Sequence, residues 1–220
     1  MASQHSDAPA ASLVRCMQQL FAEGLTTGTT GNCSLRAIGG MLITPTGLHP
    51  SALTPESIVA MDFDGNTQSA QLAPSSEWPM HVSIYNARPE VEAIVHCHSR
   101  YATSLACNRI DIPAFHYLVA LAGGDSIRCA PYATFGSNEL GLAVTHALRD
   151  RRACLMANHG QISIAADLES ALELARKVEE LAAQYHTCMT AGGAAILSKA
   201  QMDDVLARIS GYGQPRRNPA

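Results

Sequence analysis

The stretch EAIVHCHSRYATS, residues 92–104, carries two histidines one residue apart. Ile94 and Val95 form a β-branched pair that favours a strand, and on a strand residues two apart project from the same face. His96 and His98 then present two neutral imidazoles to one space, which is how many transition-metal sites begin. A chain with nine histidines also produces an H-x-H pair by chance, so further donors are needed. The third candidate is His159 in ANHGQ: Gly160 follows it, and an apolar run is interrupted there, so a side chain can turn out of the sheet. His5 in a loose N-terminus, His49 in a loop, and His146 and His186 on helices carry less weight, while His81 and His116 stay in reserve. Three imidazoles around an open position suit a Lewis-acid cation rather than a closed structural one.

Such chemistry also needs a proton acceptor. Glu77 in SSEW falls in the first turn of an expected helix, just behind Ser75 and Ser76. A first-turn acid can equally do no more than complement the helix dipole. Gly31-Asn32, Thr44-Pro45-Thr46-Gly47 and Ser75-Ser76 all offer small residues, hydroxyls and accessible N–H groups. Loops of this kind can wrap a phosphate without any lysine, although many ordinary turns look alike.

The elements that must hold these residues are legible as well. Leu13, Met17, Leu20 and Phe21 have helical spacing ahead of Gly24, which predicts a helix over 11–23. CSLRAI and MLIT read as strands joined by a Gly39-Gly40 turn. IVAMDFDGN reads as a strand running into an Asp-Gly turn. A helix begins at Ser75-Ser76 and ends near Arg88-Pro89. After the H-x-H strand come a short helix in YATSLACN, a mixed region, and a helix capped at Ser137. ACLMANHGQISIA is a buried strand broken at NHG, and the longest helix runs from an Asp167 cap to Gly192-Gly193. Strands and helices interleave without regular βαβ alternation, and no G-x-G-x-x-G is present. The expected fold is α/β, with a central, mostly antiparallel sheet covered by helices.

Length and composition narrow the function. The chain has 220 residues, 47% hydrophobic and 15% charged, with mean hydropathy +0.02. One domain over residues 1–220 is expected, with flexible tails at 1–10 and 214–220, and surplus apolar surface for a partner subunit. A net charge of −4 and a pI near 6.1 give no field to attract nucleic acid. No apolar run of membrane-spanning length and no leader pattern occur. The seven cysteines show no C-x-x-C pair, and free thiols fit a reducing compartment, so the protein is read as cytoplasmic.

The series GN, TPTG, SSEW, HCHS, AFHYLVALAGGDSIRCAPYATFGSNEL, NHG and GYG, in this order from about residue 12 to residue 213, resembles the class II aldolase/adducin family. The resemblance implies a three-layer α/β/α fold and a fourfold-symmetric homotetramer with active sites at subunit interfaces. It also implies zinc, one per subunit, with manganese or cobalt as substitutes, held by His96, His98 and His159. Glu77 is then the catalytic carboxylate and also meets the metal. Gly31, Asn32, Thr44, Gly47, Ser75 and Ser76 bind the substrate phosphate. Tyr117 and Tyr212 reach in from the neighbouring subunit, Tyr117 to handle the proton at the C4 oxygen. The implied reaction is reversible cleavage of a ketose 1-phosphate to dihydroxyacetone phosphate and an aldehyde. Candidate substrates are L-fuculose 1-phosphate or a related deoxy or methylthio pentulose 1-phosphate. Cys33, Asn158 and the tail after Gly213 depart from the family pattern.

Other activities of the same family remain alternatives. A decarboxylase of a phosphorylated 3-keto sugar acid would need a cationic side chain near the substrate carboxylate. A sugar-phosphate 4-epimerase resembles the pattern less, since Asp is expected there at the position of Glu77. A non-catalytic, adducin-like interaction domain has no need of three histidines and a glutamate.

Overall fold

The computed structural model describes residues 9–67 and 71–209. Seven strands form one sheet in the order β3-β2-β1-β4-β7-β6-β5. They are β1 (Asn32–Ala37), β2 (Gly40–Ile43), β3 (Val59–Asp62), β4 (Ala93–Cys97), β5 (Cys129–Ala130), β6 (Ala153–Met156) and β7 (Gly160–Ala165). Every neighbouring pair is antiparallel except β5 with β6. The helices are α1 (Pro9–Ala22), α2 (Trp78–Ala87), α3 (Arg100–Cys107), α4 (Asn138–Ala147), α5 (Leu168–Thr190) and α6 (Lys199–Ile209).

Both faces of the central strands are covered, so those strands read as apolar runs rather than as alternation. On one face Ile94, Cys154, Met156, Ile162 and Ile164 pack with Met80 and Ile84 of α2 and with Leu140 and Val144 of α4. On the other, Ala93, Val95 and Cys97 meet Leu13, Met17 and Leu20 of α1 and Leu172 and Ala175 of α5. Ala153 and Leu155 meet Ala102 and Leu105 of α3, and Val178 and Leu181 of α5. Each fully buried Leu, Ile or Val contributes about 1.5–3 kcal/mol to holding the layers together.

Several details differ from the sequence reading. The β1–β2 turn is Ile38-Gly39, because Ala37 pairs with Gly40 and Gly40 belongs to β2. Pro9, inside the expected N-terminal tail, opens α1, where its missing N–H costs nothing. Glu77, rather than a serine, occupies the N-cap position of α2. The break at NHG is a hairpin that reverses the chain, since β6 pairs antiparallel with β7. The expected tail at 214–220 and Tyr212 lie outside the described residues. All seven cysteines are free, and Cys33 packs as a small apolar side chain against Cys16 and Met17. Among the described residues no helix is long and apolar enough to cross a membrane.

Candidate active site

Strand register brings the histidines together. Asn32 of β1 is paired with His96 of β4, and His96 and Cys97 are paired with Ile162 and Gln161 of β7. His98 leaves the C-terminal end of β4, and His159 sits just ahead of β7, so both emerge at the same end of this central strand pair. Asn158 makes the sharp turn there with φ 56°, a conformation that asparagine tolerates. Gly160 is required by packing: a Cβ on it would stand 2.6 Å from the Cys97 carbonyl and 2.9 Å from the His98 ring. Behind His98, α3 begins at once, and Glu179 of α5 accepts from the Tyr101 and Ala102 N–H groups at 2.8 and 2.9 Å. That carboxylate satisfies otherwise orphaned donors and anchors the turn after the histidine pair.

The ring centroids of His96, His98 and His159 lie 4.8–5.0 Å apart, with planes steeply inclined. Nε2 of His98 is 3.0 Å from Nε2 of His96. Glu77 closes the group, with Oε2 3.1 Å from His96 Nε2 and Oε1 3.0 Å from His159 Nε2. One ligand atom from each of the four residues lies within 4.8 Å of the other three.

This donor set fits a metal ion. Nδ1 of His96 donates to the Gln161 carbonyl at 2.8 Å, so in the neutral ring Nε2 carries a lone pair directed at the other donors. Although Glu77 Oε1 is close to His159, it lacks the alignment for a hydrogen bond and is buried without one. A divalent cation among the three imidazoles would satisfy these lone pairs together. Burial raises the pKa of the Glu77 carboxyl, but the facing His96 and His159 outweigh it and hold the group well below the usual carboxylate range. Burial, helped by His96 and His159, lowers His98 to about 3, so it stays neutral and able to ligate.

A cavity of about 290 Å³ opens over this cluster. Glu77, His98 and His159 line it together with Gly31, Asn32, Gly47, Ser75 and Ser76. The loops at 44–47 and 73–75 are tied to each other, since Ser75 N–H donates to the Thr44 carbonyl and Thr46 N–H to the Ala73 carbonyl. Thr44 itself is buried behind the wall, where its hydroxyl accepts from Cys33 N–H at 3.2 Å. Thr46 lines the cavity in its place, and so do Thr29, Thr30, Tyr132 and Phe135. The sequence reading included Thr46 only within its candidate phosphate loop 44–47 and assigned no role to the other four. The last two stand in the quoted segment CAPYATFG, where their aromatic type was the available signal.

Tyr117 does not line this cavity; it is 42% exposed and stacks on His116. His81, held in reserve as a ligand, is fully buried one layer behind Glu77.

The family model of the Class II Aldolase and Adducin N-terminal domain matches residues 11–186. The chain belongs to the class II aldolase and adducin family. It is 44% identical over 208 residues to the 5-methylthioribulose-1-phosphate/5-deoxyribulose-1-phosphate aldolase of Rhodospirillum rubrum, covering 94% of each chain. To the L-fuculose phosphate aldolase of Escherichia coli (strain K12) it is 44% identical over 191 residues, covering 86% of this chain and 88% of that one. A solved structure of an L-fuculose 1-phosphate aldolase superposes with TM-score 0.88 at 36% identity, over 96% of this chain and 98% of the other. Within the class II aldolase and adducin family, the mixed seven-stranded sheet with helices on both faces is therefore the expected architecture.

Proposed function

We propose that the protein is a metal-dependent aldolase that reversibly cleaves a ketose 1-phosphate to dihydroxyacetone phosphate and an aldehyde. The observation that carries this reading is one cavity with two chemistries. His98, His159 and Glu77 stand in one wall, with His96 buried behind them, and the hydroxyl- and glycine-bearing loops of residues 29–31, 46–47 and 75–76 stand in another. The loops bind the phosphate through N–H groups and hydroxyls and so fix the three-carbon end of the substrate. A divalent cation held by His96, His98 and His159, read as zinc from its imidazole-rich donors, supplies Lewis-acid polarisation of the substrate carbonyl. Manganese or cobalt would serve the same purpose.

When the C3–C4 bond breaks, its electron pair stays with the dihydroxyacetone phosphate half. Glu77, kept ionised by its imidazole neighbours, removes the C3 proton in the synthetic direction and returns it to C3 in cleavage. Its place in the N-cap, without a capping hydrogen bond of its own, leaves the carboxylate free for this task. Tyr117, exposed and outside its own chain's cavity, handles the proton on the C4 oxygen in a neighbouring subunit of a homotetramer. Tyr212 is assigned to the same interface. The cysteines, free and mostly buried, agree with a cytoplasmic enzyme.

Among the described residues that line the cavity there is neither lysine nor arginine, so the carboxylate of a sugar acid finds no cationic partner there. This favours the aldolase over the decarboxylase. Relatives at the same 44% identity act on methylthio or deoxy pentulose phosphates and on L-fuculose phosphate, so the aldehyde is settled by assay. The test is release of dihydroxyacetone phosphate from L-fuculose 1-phosphate, L-rhamnulose 1-phosphate, 5-deoxyribulose 1-phosphate and 5-methylthioribulose 1-phosphate. Release from at least one, abolished by chelator and restored by zinc, is expected. No release from any of them by metal-loaded protein would reject the assignment.

A further inference from the structure

Behind Glu77 runs a buried series of polar side chains that no metal or phosphate role explains. Asn32 Nδ2 donates to Glu77 Oε2 at 3.0 Å. Turned the other way, the amide would set its oxygen against a carboxylate, two acceptors with no proton between them. Its Oδ1 lies 2.6 Å from His81 Nε2, and because a carbonyl oxygen only accepts, that ring nitrogen carries the hydrogen. Nδ1 of His81 is 2.7 Å from Ser34 Oγ, which is 2.9 Å from the Tyr85 hydroxyl. With its hydrogen on Nε2, the neutral ring offers a lone pair at Nδ1. Ser34 therefore donates to His81 and accepts from Tyr85. Each donor in the series from Tyr85 to Asn32 then points toward Glu77, and His81, Ser34 and Tyr85 are all within 1% of full burial.

We propose that His81 is a positioning residue. It locks the Asn32 amide so that an N–H donor is fixed on the Glu77 carboxylate, with Ser34 and Tyr85 behind it selecting the required tautomer. The inference rests on the proposed role of Glu77 as the group that moves the substrate proton. Burial, with His96 adding, pushes His81 down to about 3, which agrees with a neutral ring. A donor fixed on one carboxylate oxygen holds the side chain in one orientation and leaves Oε1 for other partners. Without His81, the Asn32 oxygen loses its donor, and only repulsion between that oxygen and the carboxylate still opposes rotation of the amide away from its donating pose on Glu77. The side chain of Asn32, assigned to phosphate binding from sequence, is on this reading committed to the carboxylate.

The test compares His81→Leu, which removes both ring nitrogens at similar volume, with His81→Gln, whose amide can still donate to Asn32. In the leucine variant kcat for the best ketose 1-phosphate is expected to fall about 10–100-fold, with KM and metal content per chain unchanged. The glutamine variant is expected to recover kcat to within a few-fold of wild type. Unchanged kcat in the leucine variant, or equal loss in both variants, would overturn the proposal, the latter by reducing the ring to packing. Independently, nitrogen NMR of the metal-loaded wild type, with histidine labelled and the signal assigned by its loss in His81→Gln, should show a neutral ring protonated at Nε2. Protonation at Nδ1 instead would overturn the proposal whether or not the leucine variant folds. That spectrum does not depend on turnover, so failure of the aldolase assignment would be seen separately as a wild type inactive on every substrate.

Discussion

Nε2 of His96 stands 3.1 Å from Oε2 of Glu77, while the opposite ring nitrogen donates to the Gln161 carbonyl at 2.8 Å. In the neutral ring two electron-rich atoms therefore face each other in a buried space, and only a proton or a cation between them relieves the repulsion. Replacing His96 and His98 together by Ala removes two of three imidazoles and should reduce bound metal to well under one ion per chain by elemental analysis. A metal content that remains near that of wild type would refute these ligands.

Gly31 connects the phosphate-side loop to the metal side. Its φ is +77°, and a Cβ there would stand 2.9 Å from the His96 carbonyl and equally close to the Thr26 hydroxyl. Gly31→Ala adds left-handed strain and pushes on the strand that carries His96, so it is expected to cost about 1–3 kcal/mol. A lowered urea midpoint together with reduced turnover would agree. A variant as stable and active as wild type would contradict the close approach.

Tyr117 tests whether subunits share sites. Tyr117→Phe and Glu77→Gln should each lose about 100-fold or more in turnover when assayed alone. In the proposed homotetramer, the two variants coexpressed in one cell would form mixed oligomers in which some sites combine an intact Glu77 with a neighbour's intact Tyr117. Partial recovery of activity in the coexpressed protein is predicted. No recovery, with mixed oligomers demonstrated by differential tagging, would place Tyr117 outside the neighbour's site.

Acid should destabilise the metal-free fold below about pH 6.5, the ordinary histidine value. Burial, with His96 adding, lowers His81 to about 3, and burial with His96 and His159 does the same for His98. The unfolded chain therefore binds more protons than the folded one between these pH values, and stability falls as pH falls through that window. His96 has the opposite sign: burial lowers it, but Glu77 raises it further. Its contribution is full below the unfolded value and lost above it, so it does not change within the window. Glu77, held low, adds a further loss below about pH 4.3. His81 alone amounts to about 1.4 kcal/mol per pH unit. In chelator, the urea midpoint at about pH 5 should lie below that at about pH 7; an equal or higher midpoint at the lower pH would contradict these shifts.

The strand carrying His96 and the turn carrying His159 were legible because a β-branched pair, the two-residue spacing of side chains on a strand and a glycine after a histidine have direct geometric meaning. Capping chemistry likewise exposed α4 and α5, with Ser137 and Asp167 accepting from Leu140 and Ser170. Helix α6, Lys199–Ile209, was missed although Met202, Val205, Leu206 and Ile209 recur at helical spacing and pack with Ala114 and Ala120. Thr44 was read as a phosphate ligand because sequence shows a hydroxyl in a loop and not the direction in which it points. His81 looked like a spare metal ligand one turn from Glu77. Its true partners, Asn32 and Ser34, come from a strand more than forty residues earlier, a relation that appears only once β1 lies beneath α2.

The central claim is that Glu77 moves the C3 proton of a phosphate-anchored substrate beside a metal held by three histidines. Exchange of that hydrogen isolates the step from any choice of aldehyde. Metal-loaded wild type, incubated with dihydroxyacetone phosphate in heavy water, should replace one of the two C3 hydrogens stereospecifically by deuterium, as read by proton NMR. Glu77→Gln with its metal retained should not. Exchange that persists undiminished in Glu77→Gln, or that is absent from metal-loaded wild type, would contradict the account.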